Sequence, residues 1–216
     1  MNYVIFVLLI LISYVLGSIP FGLIIGKSKG KDLTKEGSGN IGTTNAARVL
    51  GFMTGLAVGV CDILKGTIVI ITVYILEHYN VWYNPLVIDG ESLYVVYGFS
   101  AVIGHCYSCF LKEKGGKAVA TSFGVLLVCF PWASLGAFIA FVITLLIWGY
   151  VSVSSTSATL TGLIIAWIVY GTMEGNYISC IFLTLMGLLI VFKHRDNYKR
   201  LVNGTESCFK KRKISY

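Results

Sequence analysis

Gly115, Gly116 and Lys117 lie within the stretch GHCYSCFLKEKGGKAVAT, residues 104–121. This stretch closes one apolar run, crosses a short basic patch, turns at the glycine pair and opens another apolar run. The glycines and the lysine therefore fall where a loop becomes the first turn of a helix. Backbone N–H groups are unpaired there, and the helix dipole favours negative charge. Glycine lets the main chain come close to an anion, and lysine adds a mobile full charge. The chemistry implied is a phosphate cradle at the edge of a membrane.

Other polar groups gather in the same kind of place. EGSGNIGTTNAAR, residues 36–48, has Gly37, Gly39 and Gly42 to let the backbone fold back on itself. Ser38, Asn40, Thr43, Thr44 and Asn45 offer neutral hydrogen-bonding groups, and Arg48 a planar fork suited to phosphate or carboxylate. Ser152, Ser154 and Ser155 follow an apolar run, and His194, Arg195, Asn197 and Arg200 open the C-terminal tail. Asp62 and Lys65 lie inside an apolar run, three apart and so on one helix face. Ionisable groups in such a place are expensive; a structural ion pair and a catalytic role both fit them.

The elements that must position these residues are membrane helices. The chain has 216 residues, 56% hydrophobic and 12% charged, against about 25% charged in a soluble domain. Apolar runs of about 18 residues or more mark helical spans, and there is no room for a separate soluble domain. A net charge of +7 would suit nucleic acid, but the basic residues are scattered over short loops and a tail, as membrane topology requires. Cys106 and Cys109 form a CxxC with no second pair, so no metal set is expected.

Spans are expected at 3–25, with a kink or early exit at Gly17 and Pro20, and at 52–76, where Gly55 and Gly59 suit close helix packing. Further spans are expected at 93–111 and 178–192. The loop 77–92 holds Glu77, Asp89 and Glu91 without Lys or Arg, and its Trp82 and Tyr83 suit an outer interface. Lys117 and Lys193 should face the same side, so the interval 118–170 must hold an odd number of spans. Three fit, with breaks near Pro131–Ser134 and at Val151–Ser157. The expected fold is an all-α polytopic bundle of seven transmembrane helices forming one domain, 1–216, with an uncleaved N-terminus outside and the C-terminus cytosolic. In this arrangement 16 of the 17 basic residues fall on the inner side; the other, Lys65, lies within a span.

SGNIGTTNAAR, GHCYSCFLKEKGGKAVAT, YVSVSS and HRDNYKRLVNGTE, in this order, resemble the PlsY family of bacterial acyl-phosphate:glycerol-3-phosphate acyltransferases. GSIPFG and Asp62-xx-Lys65-Gly66 look similar too. The His and Asp five apart that many other glycerolipid acyltransferases use are absent: Tyr83, Phe110 and Lys199 stand five residues after His78, His105 and His194. The resemblance implies acyl transfer from acyl phosphate to the 1-hydroxyl of glycerol 3-phosphate, at the cytosolic side of the bacterial inner membrane, in contact with membrane lipid. It implies no cofactor, no metal and no nucleic acid. Ser38, Arg48, His105 and Lys117 are the expected catalytic residues. Asn40, Thr44, Asn45, Gly115, Gly116, Ser152, Ser155, His194 and Asn197 are expected to bind substrate. The general base is either His105 or a phosphate oxygen of the substrate. Ala118 stands where the family has a third glycine, and Ser108 where it has proline. A membrane transporter of a phosphorylated metabolite is the alternative, although such sites lie near the bilayer midplane, often between repeats, and no repeat is seen.

Overall fold

A computed structural model describes residues 2–85, 87–88, 91–112 and 115–209. The chain forms two compact units, 1–130 and 131–216. In the first, α1 (Asn2–Ser18) and α2 (Phe21–Ser28) are followed by a loop, then α3 (Thr43–Leu50) and α4 (Phe52–His78). A two-residue hairpin, β1 (Val87–Ile88) with β2 (Glu91–Ser92), precedes α5 (Val95–Cys106) and α6 (Val119–Cys129). The second unit holds α7 (Pro131–Trp148), α8 (Val151–Ala166) running on into a π-helical stretch (Trp167–Met173), α9 (Tyr177–Lys193) and α10 (Arg195–Val202).

Apolar side chains face outward. Along α4, Leu56, Val60, Leu64, Ile68 and Ile75 form an exposed stripe near helical spacing, while Thr54, Gly55, Val58, Gly59, Asp62, Lys65 and Gly66 are buried on the other face. A helix that buries its polar residues and exposes its leucines is built for lipid. Small residues let its neighbours approach closely. A methyl group at Gly55 would strike Ala47, and one at Gly59 would crowd Thr43, so α3 lies against this glycine pair. Gly66 meets the Thr121 carbonyl, and Gly124 of α6 meets the Ile63 carbonyl. Gly17 and Gly104 likewise let α1 and α5 touch through their backbones. Within the second unit α7 packs on α8, and α8 on α9.

Among the described residues, four helical stretches are long and apolar enough to cross a membrane: Tyr3–Ser28, Phe52–His78, Pro131–Trp148 and Val151–Met173. The pair α9 and α10, bent by 45°, makes a fifth if taken as one span. The expected spans at 93–111 and at the start of 118–170 correspond to α5 and α6, which are apolar but only 12 and 11 residues long. At 1.5 Å per residue they cover about 18 and about 17 Å, short of the hydrocarbon thickness of about 30 Å. The interval 118–170 does hold three helices, but its breaks fall at Phe130 and at Gly149–Tyr150. Val151–Ser157 is not a break: it opens α8, because Gly149 takes the left-handed turn (φ +74°) and Ser154 Oγ donates back to the Tyr150 carbonyl (2.9 Å). Trp82 does not line an interface; it is buried, unlike Tyr83. Asp89, Lys114, Lys210, Lys211, Arg212 and Lys213, which entered the count of charges by side, lie outside the described residues.

Candidate active site

Residues 29–42 fold around one side chain. Asn45, on the first turn of α3, is buried; its amide nitrogen meets the Leu33, Glu36 and Asn40 carbonyls at 3.2, 2.9 and 2.8 Å. Its Oδ1 accepts the Ser38 N–H at 2.8 Å. Asn40 Oδ1 in turn accepts the Gly42 N–H at 2.8 Å, just before α3 begins. Gly37 is left-handed (φ +61°), and a methyl group there would strike the Asn45 amide. Asn45 thus shapes the loop that presents Ser38, which is exposed. Thr43 sits against Gly59, with Thr44 beside it. Arg48 is exposed near the end of α3, next to Ala47 and the Gly55 contact, and forms no ion pair with a described residue.

The glycine loop is pinned from two sides. The Gly116 N–H donates to the His105 carbonyl (2.9 Å). Any side chain at Gly115 would strike that carbonyl, and one at Gly116 would strike the His105 ring. Beyond the loop, α6 rests on Gly66 of α4 through Thr121. Lys117 is half-buried between these anchors. Ala118 takes φ +60°, a left-handed conformation that glycine adopts without strain. Ser108, the other departure from the family pattern, donates to the Ser18 carbonyl (2.6 Å) and accepts the Phe110 N–H (3.2 Å).

Between these two motifs lies a buried ionic group. Lys65 Nζ is 2.9 Å from Asp62 Oδ1, with both side chains 4% exposed. His105 Nδ1 is 3.6 Å from the same oxygen. Lys65 also donates to the Ile19 carbonyl (3.1 Å), in the break between α1 and α2 that Pro20 creates. Gly59, Asp62 and Gly66 fall at i, i+3 and i+7 and so on one face of α4. The start of α3 and the start of α6 therefore dock on one stripe, two turns or about 10 Å apart.

In the second unit Ser152, Asn197 and Arg200 converge on Glu206, a residue the sequence reading did not single out. Ser152 Oγ and Asn197 Nδ2 donate to its Oε1 at 3.0 and 2.6 Å, and Arg200 Nε to its Oε2 at 2.8 Å. Burial alone would raise the Glu206 pKa. Hydrogen bonds from Asn197, Arg200 and Ser152, with the Arg200 charge, outweigh it and hold the carboxyl below its ordinary 4.5. His194 is buried with Nδ1 2.8 Å from the Ile190 carbonyl, an acceptor, so Nδ1 carries a proton and donates. Ser155 is buried on the first turns of α8. The motif HRDNYKRLVNGTE hinted at Glu206, whose carboxylate meets two expected ligands, Ser152 and Asn197.

The order of motifs in the chain and their docking on α4 can be set beside known proteins. The sequence profile described as glycerol-3-phosphate acyltransferase matches residues 7–204. The chain belongs to the glycerol-3-phosphate acyltransferase family. A glycerol-3-phosphate acyltransferase 2 of Bacillus anthracis is 40% identical over 202 residues, covering 93% of this chain and 97% of that one. A glycerol-3-phosphate acyltransferase of Desulfotalea psychrophila is 42% identical over 205 residues, covering 94% and 97%. Two crystal structures of PlsY, described as an integral membrane glycerol 3-phosphate acyltransferase, are each 33% identical and cover 94% of this chain and 95% of theirs. Their TM-scores are 0.81 for the glycerol 3-phosphate form and 0.80 for the lysophosphatidic acid form. As a family member the chain is an integral membrane acyltransferase with the PlsY fold.

Proposed function

We propose that this acyltransferase takes its acyl group from acyl phosphate and delivers it to the 1-hydroxyl of glycerol 3-phosphate. The hydroxyl oxygen attacks the acyl carbonyl, the bond from that carbon to the phosphate oxygen breaks, and lysophosphatidic acid and inorganic phosphate leave. Because acyl phosphate is already activated, the protein needs no nucleophile of its own; holding hydroxyl and carbonyl at attack distance supplies much of the rate. Two phosphates must be held together, and cationic and N–H donors offset their repulsion. Lys117 with the N–H groups around Gly115 and Gly116 holds one phosphate, and Arg48 with Ser38, Asn40 and Thr44 the other substrate's polar end. Asn45 positions that loop. Ser152, Ser155, His194 and Asn197 are further substrate-binding residues, and the attacking proton passes to His105 or to a phosphate oxygen. The observation that carries the reading is the packing of both motifs on one face of α4, Thr43 at Gly59 and Thr121 at Gly66, contacts about 10 Å apart along the helix.

Both units act as one domain, which the family match over 7–204 supports. The chain crosses the bacterial inner membrane seven times, N-terminus outside, with α5 and α6 as short spans and the site at the cytosolic face. The one-sided placement of 16 of 17 basic residues supports this. The donor is tested on purified protein with radiolabelled glycerol 3-phosphate, offering acyl phosphate, acyl-CoA and acyl carrier protein separately. Labelled lysophosphatidic acid is expected from acyl phosphate; product from acyl-CoA alone would overturn the donor assignment.

A further inference from the structure

Asp62 belongs to neither substrate motif, yet it stands between them. Its Oδ1 lies 2.9 Å from Lys65 Nζ and 3.6 Å from His105 Nδ1, all three side chains being buried. Lys65 meets Asp62 and the Ile19 carbonyl, and its ammonium lies over the Phe21 ring at 5.8 Å. The imidazole is what ties this pair to the glycine loop. His105 ends α5, its carbonyl takes the Gly116 N–H, and its ring fills the space where a Gly116 side chain would stand. One residue past Lys65, Gly66 takes the backbone of Thr121, so both anchors of the loop lead back to a single turn of α4.

From this geometry we propose that Asp62 is a positioning residue for acyl transfer: with Lys65 it sets the His105 ring, and the ring sets the loop at Gly115–Gly116. This rests on the reading of that loop as a phosphate site. At 3.6 Å the Asp62–His105 contact is a packed, charged contact rather than a hydrogen bond, so Asp62 acts by fixing where the ring sits, and a misplacement of about 1 Å in a positioned group costs up to about 100-fold. Here the effect is to be read as weaker phosphate binding rather than slower chemistry alone.

The test uses the full chain in detergent or nanodiscs and measures kcat, KM for glycerol 3-phosphate and for acyl phosphate, and inhibition by inorganic phosphate. Asp62→Asn should raise the KM of the substrate whose phosphate the loop holds and weaken phosphate inhibition together, each by about tenfold, with a smaller change in kcat. Because that variant leaves Lys65 buried without its counter-charge, Asp62→Asn/Lys65→Met is made beside it. It should recover folded yield yet keep the raised KM. Wild-type KM and inhibition in the double variant would show the pair to be purely structural and overturn the proposal. In a His105→Gln background Asp62→Asn should cost nothing more; additive losses would overturn it as well. If neither Asn variant folds, Asp62→Glu, which keeps the charge and shifts it by one methylene, decides in the same way: an unchanged KM rejects the proposal. Lys117→Ala is the control for the underlying reading. If it leaves phosphate inhibition intact, the loop is not the phosphate site and the proposal falls with it.

Discussion

Ala118 holds a backbone conformation (φ +60°) that disfavours any side chain, at a cost of roughly 1–2 kcal/mol for an L-residue. Ala118→Gly removes that strain but gives the unfolded chain more freedom. A net gain of about 0.5–1 kcal/mol is expected, seen as a higher unfolding temperature without loss of activity. The same position explains why a glycine suits it: the turn from loop to α6 is left-handed whatever the side chain. Charge is a separate matter at this scale. Arg48→Ala and Lys117→Ala should each lower turnover by about a hundredfold or more, as lost charge stabilisation does, with folded yield unchanged. Near-normal rates in both, measured with saturating acyl phosphate, would place the phosphate sites elsewhere.

Helix α4 decides how the motifs meet. Its buried face alternates small residues with one ionic group, so each neighbour has a slot: α3 at Gly55 and Gly59, α6 at Gly66. At the other end of the chain, the residues after α10 are held by Glu206, which binds Ser152 of α8, and Asn197 and Arg200 of α10. Its depressed pKa makes the docking depend on pH. A carboxylate whose folded value is lowered contributes fully above its ordinary 4.5 and loses that contribution as pH falls through the lower, folded value. Protection of residues 195–209 from hydrogen exchange should therefore weaken in acid below that point. Glu206→Gln should lose about 1.5–3 kcal/mol at neutral pH, the worth of hydrogen bonds to a charged group, and should show little further acid dependence. Equal acid sensitivity in both proteins would assign the effect to another group.

In the proposed reaction the whole molecule brings two anionic substrates to one side of a bilayer. Single cysteines placed at Lys31, Lys112 and Asn203 in a variant without its native cysteines should react with an impermeant thiol reagent only from the cytosolic side. A cysteine at Tyr83 should react only from outside. Labelling of residues 31 and 112 from opposite sides would make a common site for Arg48 and Lys117 untenable. The short helices α5 and α6 matter here, because the proposed seven crossings require the bilayer or the flanking loops to make up the missing length.

Hydropathy and charge placement were enough to establish a helical membrane protein, because lipid leaves a helix almost no alternative and every apolar run declares itself. Spacing was enough to single out the glycine-lysine loop and the Ser38–Arg48 loop as the proposed anion sites, since only a few residue types can approach an anion. Three-dimensional packing decided the rest. Asn45 was legible as a polar group but not as the centre of its loop, because its partners are main-chain carbonyls at positions 33, 36 and 40, which any residue supplies. Asp62 and Lys65 were legible as a pair, yet their link to His105 spans some forty residues of chain and exists only once α4 and α5 pack. Glu206 joins residues from two helices, and no local pattern records where a distant carboxylate comes to rest. Sequence patterns carry what is periodic or chemically rare; contacts between ordinary groups far apart in the chain are settled only when close helix packing brings them within hydrogen-bond reach.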